Sequence, residues 1–479
     1  MDSTIAWIDK KFSDQYGTTA SEKMLLAYLL AATRNGYLHV QIDSGVLNPS
    51  FEELFGSLEG AEEIKAVDQL SPSLPVVREG NCFYLKRIAL SRENVWAEIK
   101  RLSQSTKGLS KTAPVLSERL TEEQKQAVLL SLQFPFFILT GGPGTGKTFT
   151  AAQILNAYLS SCSISSPKIA LAAPTGKAAL HLEKTLSETL KRSFESVTLH
   201  RLARARENVL PYDFYLVDEA SMIDLELMEK WLKKVKSGAR VVLLGDPFQL
   251  PPVECGSLFA ELCAIYPGKT SLTKCLRAES VELVSCAASL LKEGRFVPSE
   301  VVSLYSKEEA LHPFLEGHLA AFPVDASLSI QTLIDQFNSF RILSPLRKGP
   351  IGIDAINQFI LKKLYASKKS ELFPLPIMIS ANAPDLKLFN GETGLMLTTH
   401  APTEPLTPED RVYFPDGRSI PALLLPSFEF AYAITVHKSQ GSEFDHVALL
   451  LGDDPLSRKK ELLYTAATRA KKKLSVWGI

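Results

Sequence analysis

Phe136-Phe137-Ile138-Leu139-Thr140-Gly141-Gly142-Pro143-Gly144-Thr145-Gly146-Lys147-Thr148 is the stretch on which the reading of this chain turns. Its first four residues are bulky and apolar, the composition of a short buried strand, and they run almost directly into glycines. Residues 141–148 fit the pattern G-x-x-x-x-G-K-[ST]. Glycines let the backbone curl until its N–H groups point at an anion, and the helix expected from Thr148 adds the favourable end of its dipole. In such a loop Lys147 reaches the outer phosphates of a triphosphate, and the Thr148 hydroxyl is an oxygen ligand for Mg²⁺. ATP and Mg²⁺ are the cofactors this spacing predicts.

Downstream, Leu216-Val217-Asp218-Glu219 places two carboxylates at the end of a second apolar strand. On its own such an ending is as consistent with a helix cap. Seventy residues after a phosphate loop it predicts a metal-holding Asp218 and a Glu219 that orients or deprotonates water. Between and beyond these motifs the chain alternates. Helices are expected at 118–132 and 148–160, and strands at 136–139, 169–173, 215–217 and 241–244. Apolar strands separated by helices predict a parallel sheet covered on both faces. A second such stretch runs from about 340 to 479, with strands at 341–343, 447–451 and 474–477. Inside it, Asn390-Gly391 and Asp416-Gly417 punctuate short apolar runs, a hairpin signal, so a small β-barrel is expected within the second α/β domain.

The first 110 or so residues read as helical by apolar spacing. Ile5, Ile8 and Phe12 fall on one helical face, and 21–33 is a helix stopped by Asn35-Gly36. Residues 103–115, rich in Ser, Thr, Lys, Gly and Pro, read as a linker. The expected division is an N-terminal helical domain over 1–112, a first α/β domain over 113–270 and a second over 271–479 with its insertion at 386–428. Six scattered cysteines lack any Cys-x-x-Cys pairing, which argues against a zinc or iron–sulfur centre. The 53 basic and 53 acidic residues cancel, so any nucleic acid must be held by a local track rather than a global field. The start lacks the order of a secretory signal, and the longest apolar runs are too short for a bilayer. A cytoplasmic chain without membrane contact is expected.

Five further stretches stand in the order found in superfamily 1 helicases of the 5′-to-3′ branch. They are Ala173-Pro174-Thr175-Gly176-Lys177, Thr198-Leu199-His200-Arg201, Gly245-Asp246-Pro247-Phe248-Gln249-Leu250-Pro251, Ile434-Thr435-Val436-His437-Lys438-Ser439-Gln440-Gly441 and Tyr464-Thr465-Ala466-Ala467-Thr468-Arg469-Ala470. Within that branch, Leu343-Ser344-Pro345-Leu346-Arg347-Lys348-Gly349-Pro350 and Leu388-Phe389-Asn390-Gly391-Glu392-Thr393-Gly394 resemble the RecD family. The resemblance covers about residue 116 to the end, with a fainter match before it. It implies two RecA-like P-loop domains, an SH3-like barrel inserted in the second, and a mostly helical N-terminal domain that docks a partner.

It also implies roles. Gln124 resembles the glutamine that reads adenine, Gln249 the γ-phosphate sensor, and Arg277 and Arg469 the two arginines that the second domain presents to the nucleotide. Such fingers contribute about 10³–10⁵ in rate in related phosphoryl transfers. Thr175, His200, Thr435 and His437 resemble residues that hold single-strand phosphates, with Lys177 and Lys438 adding charge. A lone histidine is more often a satisfied structural residue than a phosphate contact, and Lys471-Lys472-Lys473 reads as a solvated face. Phe248 and Pro252 depart from the Asp and Ser usual in relatives. Only about a dozen residues separate His200-Arg201 from the Asp218 strand, where relatives often place a strand-separating hairpin. That wedge is therefore expected to be rudimentary or supplied by a partner. The implied activity is an ATP-driven 5′-to-3′ translocase on single-stranded DNA, acting at double-strand ends with RecB-like and RecC-like subunits. A standalone helicase and an end-remodelling ATPase are the alternatives.

Overall fold

Six parallel strands form the first sheet, in the order Lys269–Leu272, Phe136–Gly141, Arg240–Gly245, Phe214–Val217, Ile169–Ala173, Ser196–Thr198. In this computed structural model residues 6–55, 61–65, 70–104, 116–252, 256–276, 281–322, 328–366, 373–400 and 404–479 are described. The central strands are buried along their whole length, as both-face coverage requires. Their side chains alternate between two cores with period two. Phe137, Leu139, Leu171, Phe214, Leu216, Val242 and Leu244 face the helices Glu122–Gln133, Lys147–Ser161 and Gly176–Leu190. Phe136, Ile138, Ala170, Ala172, Tyr215, Val217, Val241 and Leu243 face the other way.

That second face is covered partly by the N-terminal region. Its helices Ala20–Arg34 and Lys86–Ser103 contribute Leu25, Leu29, Val95, Ile99 and Leu102 to the core that holds Trp231, Phe259 and the odd-face strand residues. The chain divides into two units, Met1–Pro174 with Ala178–Lys274, and Thr175–Lys177 with Cys275–Ile479. The expected boundary at 112 lies outside the described residues. Polar ties reinforce the shared core. The Arg92 guanidinium donates to both Glu261 carboxylate oxygens at 2.9 Å, Trp96 Nε1 donates to Glu261 at 3.1 Å, and Asn94 donates to Glu229 at 2.7 Å.

Helix Ala20–Arg34 starts in a full capping box, with Thr19 and Glu22 exchanging bonds. It ends at Gly36, whose φ of 84° closes the last turn. Two features depart from the helical expectation. A four-stranded antiparallel sheet, Val46–Asn48, Val40–Asp43, Cys82–Leu85, Val76–Glu79, lies among the helices. On the first helix, Trp7–Tyr16, Ile8 is 58% and Phe12 37% exposed, so the expected apolar face is not a core face, and Ile5 lies outside the described residues. Most of the expected linker, 105–115, also lies outside them.

In the second unit five parallel strands run in the order Val302–Tyr305, Ala470–Trp477, Phe444–Leu450, Phe340–Ser344, Ala433–Thr435. The inserted element is a five-stranded antiparallel sheet, Ser419–Pro421, Arg411–Tyr413, Thr393–Thr398, Phe373–Ile379, Phe428–Phe430. It extends beyond the expected 386–428 at both ends. The early strand was hidden by Pro374 and Pro376, which cannot donate to a ladder. They are accommodated because Phe428–Phe430 pairs with Ile377 to Ile379, and the hydrogen bond next to that ladder is accepted by Pro376 O from Ala431 N, so it needs no donor from the proline. Phe373, Leu375, Ile377 and Ile379 point into the insertion's own core with Met396, Val412 and Phe414. Leu395 packs on Leu333 and Ile334 of helix Ile330–Ser339. The Asp416-Gly417 hairpin forms as read, with Gly417 at φ 86°. No helix among the described residues is long and apolar enough to cross a membrane, and none of them forms a cluster suited to a metal of the zinc type.

Candidate functional site

Three neighbouring strands of the first sheet deliver the predicted nucleotide residues to one edge. Thr140 pairs in register with Gly245, and Val217 with Leu243, so 141–148, 218–219 and 245–249 all leave the carboxyl ends of adjacent strands. Open parallel sheets bind ligands at that edge. The strand carrying Gly245-Asp246 lies between the phosphate loop and the Asp218 strand.

The loop has the curl that the glycines permit. Gly144 and Gly146 adopt φ of 73° and 81°, and Gly146 caps helix Lys147–Ser161 from the left-handed region. Gly141 is hemmed in, since a Cβ there would lie 2.6 Å from Thr145 Oγ1 and 3.0 Å from Leu272 O. Thr145 Oγ1 donates to Gly142 O at 2.8 Å, bracing the loop across Pro143. Lys147 Nζ donates to the carbonyls of Gly141 and Gly142 at 2.6 and 3.1 Å. Gln124 is buried and does double duty. It completes the capping box of helix Glu122–Gln133 with Thr121, and its Nε2 sits 3.4 Å from Thr145 O. The helix bearing it is fixed at its far end by Arg240, whose guanidinium donates to Ser131 O, Leu132 O and Phe134 O at 2.6, 2.8 and 3.1 Å.

Asp218 is enclosed, and burial raises its carboxyl pKa above the usual range, against the opposing pull of the Glu219 N–H and the Lys147 ammonium. Glu219 N donates to Asp218 Oδ1 at 2.8 Å, and Glu219 itself stands at φ 52°, a left-handed position rare for a residue with a side chain. The Thr148 hydroxyl and the Asp218 carboxylate are both hard oxygens, the donor type that suits a cation which keeps several waters. An enclosed carboxylate of raised pKa is also a group that a divalent charge would hold ionised.

Gln249 is 7% exposed, with Nε2 3.4 Å from Asp246 Oδ2 and Oε1 buried without a hydrogen-bond partner. Asp246, 2% exposed, also accepts Phe248 N at 3.1 Å. It is the positioning carboxylate that the sequence reading quoted but assigned no role, although a strand ending in Gly-Asp repeats the signal of the strand ending in Asp218. Ser221, also missed, is buried with an unpartnered Oγ just after Glu219.

In the second unit, Arg469 is 4% exposed. Its guanidinium donates to Thr465 O at 3.1 Å and Ser442 O at 3.2 Å, and sits 3.4 Å from Thr468 Oγ1. Arg277 lies outside the described residues. Thr435 and His437 flank the end of strand Ala433–Thr435, and burial lowers the His437 pKa, which keeps the imidazole neutral. Lys438 departs from a free charge: its ammonium is paired with Glu429, which also receives Arg347 at 3.2 Å. Lys177, with Thr175 and Gly176, groups with this unit. Its Nζ donates to Ser442 Oγ at 2.7 Å, and burial depresses its pKa to about 8. His200 is exposed on the helix Leu199–Ala203 of the first unit. Lys471 and Lys472 both pair with Asp445.

The segment 205–213 forms no hairpin; its one ladder contact is an isolated parallel bridge between Leu210 and Val235. It is tacked down instead, Leu210 N donating to Lys234 O at 2.8 Å and Lys234 Nζ to Ala205 O at 2.6 Å.

A family model described as an AAA domain matches residues 119–314, and one described as a UvrD-like helicase C-terminal domain matches 430–477. The RecBCD enzyme subunit RecD of Mycolicibacterium smegmatis is 30% identical over 506 residues, covering 96% of this chain and 90% of that one. That of Haemophilus influenzae is 30% identical, covering 77% and 70%. The ATP-dependent RecD2 DNA helicase of Deinococcus radiodurans is 30% identical over 74% of this chain but 48% of its own length. A Bacteroides Pif1 bound to single-stranded DNA is similar at a TM-score of 0.44 and 18% identity, over 75% of this chain and 92% of that one. With near end-to-end similarity at this identity, and the motor motifs at one sheet edge, the chain belongs to the RecD family of superfamily 1 ATP-dependent DNA helicases.

Proposed function

We propose that this chain is the RecD-like motor of a heterotrimeric helicase–nuclease, translocating 5′ to 3′ on single-stranded DNA from double-strand ends with RecB-like and RecC-like subunits. The observation that carries the motor assignment is the convergence of Lys147, Asp218 and Gln249 on three adjacent strand ends. The similarity to RecBCD subunits along nearly the whole chain supports the heterotrimer and, with it, a cytoplasmic site of action.

In this reading the 141–148 backbone binds the phosphates of ATP, and Gln124 sits against the adenine. Lys147 exchanges its two loop carbonyls for phosphate oxygens. Thr148 and Asp218 would hold Mg²⁺, which supplies charge neutralisation on the β- and γ-phosphates. Glu219, turned by its left-handed backbone, orients the attacking water and takes its proton. Gln249 places its amide at the γ-phosphate. Arg277 and Arg469 add positive charge from the second domain, so Arg469 must exchange at least one carbonyl partner for the phosphate. Thr175, His200, Thr435 and His437 hold DNA phosphates, the neutral His437 through its N–H rather than through charge, and Lys177 and Lys438 contribute charge once released from their present partners.

Lys147→Gln is expected to abolish DNA-stimulated ATP turnover while leaving the fold intact, and retained turnover would sink the assignment of this loop. On a 5′-tailed duplex the complex with its partners unwinds. The compact 205–213 segment favours a second reading for the isolated chain, a DNA-dependent ATPase that remodels ends without splitting them. Unwinding by the purified chain alone decides against that second reading, and indifference to RecB-like and RecC-like chains in co-purification decides for a standalone helicase.

A further inference from the structure

We infer that the turn at residues 35–38 of the N-terminal region positions the loop carrying Gln249, and so sets the rate of ATP hydrolysis from outside the nucleotide motifs. This rests on the assignment of turnover to the 141–148 loop.

The turn exists because helix Ala20–Arg34 closes on Gly36, with Tyr37 N bonded to Ala32 O at 3.0 Å. It drops two residues onto the exit of the Gln249 loop. A Cβ on Gly36 would lie 3.3 Å from Pro252 O and 3.6 Å from Pro251 Cγ. A Cβ on Gly256 would lie 2.7 Å from Leu38 Cδ2 and 2.9 Å from Gly36 O. The two backbones therefore approach more closely than side-chain-bearing residues allow. Gly256 O accepts Leu225 N at 3.2 Å, the first residue of the helix that follows the Asp218-Glu219 turn. Leu38, 9% exposed, shares its core with Ile223, Leu225 and Phe259.

One apolar side chain, Leu38, thus packs against Gly256, whose carbonyl ties the exit of the sensor loop to the first residue of the helix Leu225–Leu232. The entrance of the loop is fixed separately, by Asp246. Gln249 Oε1 has no partner and its Nε2 meets only Asp246 at 3.4 Å, so the backbone at the loop's two ends contributes to its aim. Misplacing a group at a reacting phosphate by an ångström costs up to about a hundredfold in rate. An N-terminal region that moves under a bound partner would therefore reach the ATP site through Gly36 and Leu38. These are positioning residues.

The test compares full-length Leu38→Ala with Ile64→Ala. Ile64 lies in the same core, on a helix packed against Ala20–Arg34. Leu38→Ala is expected to lower kcat for DNA-stimulated ATP turnover by about tenfold or more, with affinity for a fluorescent ATP analogue unchanged. Ile64→Ala loses thermal stability without that loss of kcat, and Leu38→Met restores the rate. Should Leu38→Ala fail to fold, Leu38→Val provides the same readout through a smaller cavity. Equal kcat in the Leu38 and Ile64 variants overturns the inference, as does affinity falling in step with kcat. Lys147→Gln keeps the two levels apart: turnover lost there but untouched by Leu38 changes refutes only the coupling.

Discussion

Replacing Gly146 by Ala perturbs the phosphate loop at one backbone torsion and adds one methyl group. Gly146 stands at φ 81° and ψ 28° and is the cap of helix Lys147–Ser161. Its carbonyl accepts both Thr150 N and Thr150 Oγ1 at 2.9 Å, so the helix start depends on that conformation. An alanine held left-handed costs about 1–2 kcal/mol. The stiffer unfolded chain offsets about 0.4–1 kcal/mol of this in overall stability but not in binding. If the loop relaxes when empty, the strain must be restored on binding, and ATP affinity falls by about 5- to 30-fold. If packing holds the loop left-handed throughout, affinity stays and the melting temperature drops instead. The two losses are complementary: titration with a fluorescent ATP analogue and thermal unfolding together recover the strain energy. Neither quantity moving would refute the claim that the left-handed turn shapes the site. A loss of affinity beyond about a hundredfold would refute it too, since strain of about 1–2 kcal/mol supplies no more than about 30-fold.

Further outcomes follow from the second unit. Glu429→Gln removes the carboxylate that holds Lys438 and Arg347. Single-strand affinity should rise, with the slope of log K against log salt steepening by about 0.7 for each phosphate gained; an unchanged slope in a salt series excludes Lys438 from the DNA track. Burial lowers the pKa of His318 and His437 and brings His446 from the ordinary 6.5 to about 4, with Lys473 adding to the shift of His318 and His446. The native imidazoles stay neutral while the unfolded chain takes up protons, so stability falls as pH drops from about 6.5 towards 4 and is recovered above 6.5. Urea midpoints across that range check the sign, and His446→Gln should flatten the dependence.

The legible parts of the site are those whose chemistry is local in sequence. A phosphate loop needs its glycines, lysine and hydroxyl within eight residues of one another, so spacing alone marks Gly141, Lys147 and Thr148. Fully buried parallel strands announce themselves by unbroken apolar runs, as at Phe136–Gly141 and Arg240–Gly245. Elements whose signals conflict were harder to see. Phe373–Ile379 carries two prolines that argue against a strand, and its place is intelligible only once its pairing with Phe428–Phe430 is seen. The N-terminal sheet is built from strands of three or four residues, too short for alternation to stand out.

Sequence by itself determined that this chain binds and hydrolyses a triphosphate as a helicase of known lineage, because phosphate-binding geometry and family motifs are written in short contiguous runs. Tertiary structure alone decided which charges are available and what steadies them. Lys438 meets Glu429 across nine residues, Arg92 meets Glu261 across 169, and Leu38 reaches Gly256 from a region with no nucleotide motif. Such pairings arise from how strands and helices stack, and side-chain distance in a packed core bears no relation to distance along the chain. That is why 141–148 could be read as a triphosphate site at once, while its coupling to the 35–38 turn emerged only in three dimensions.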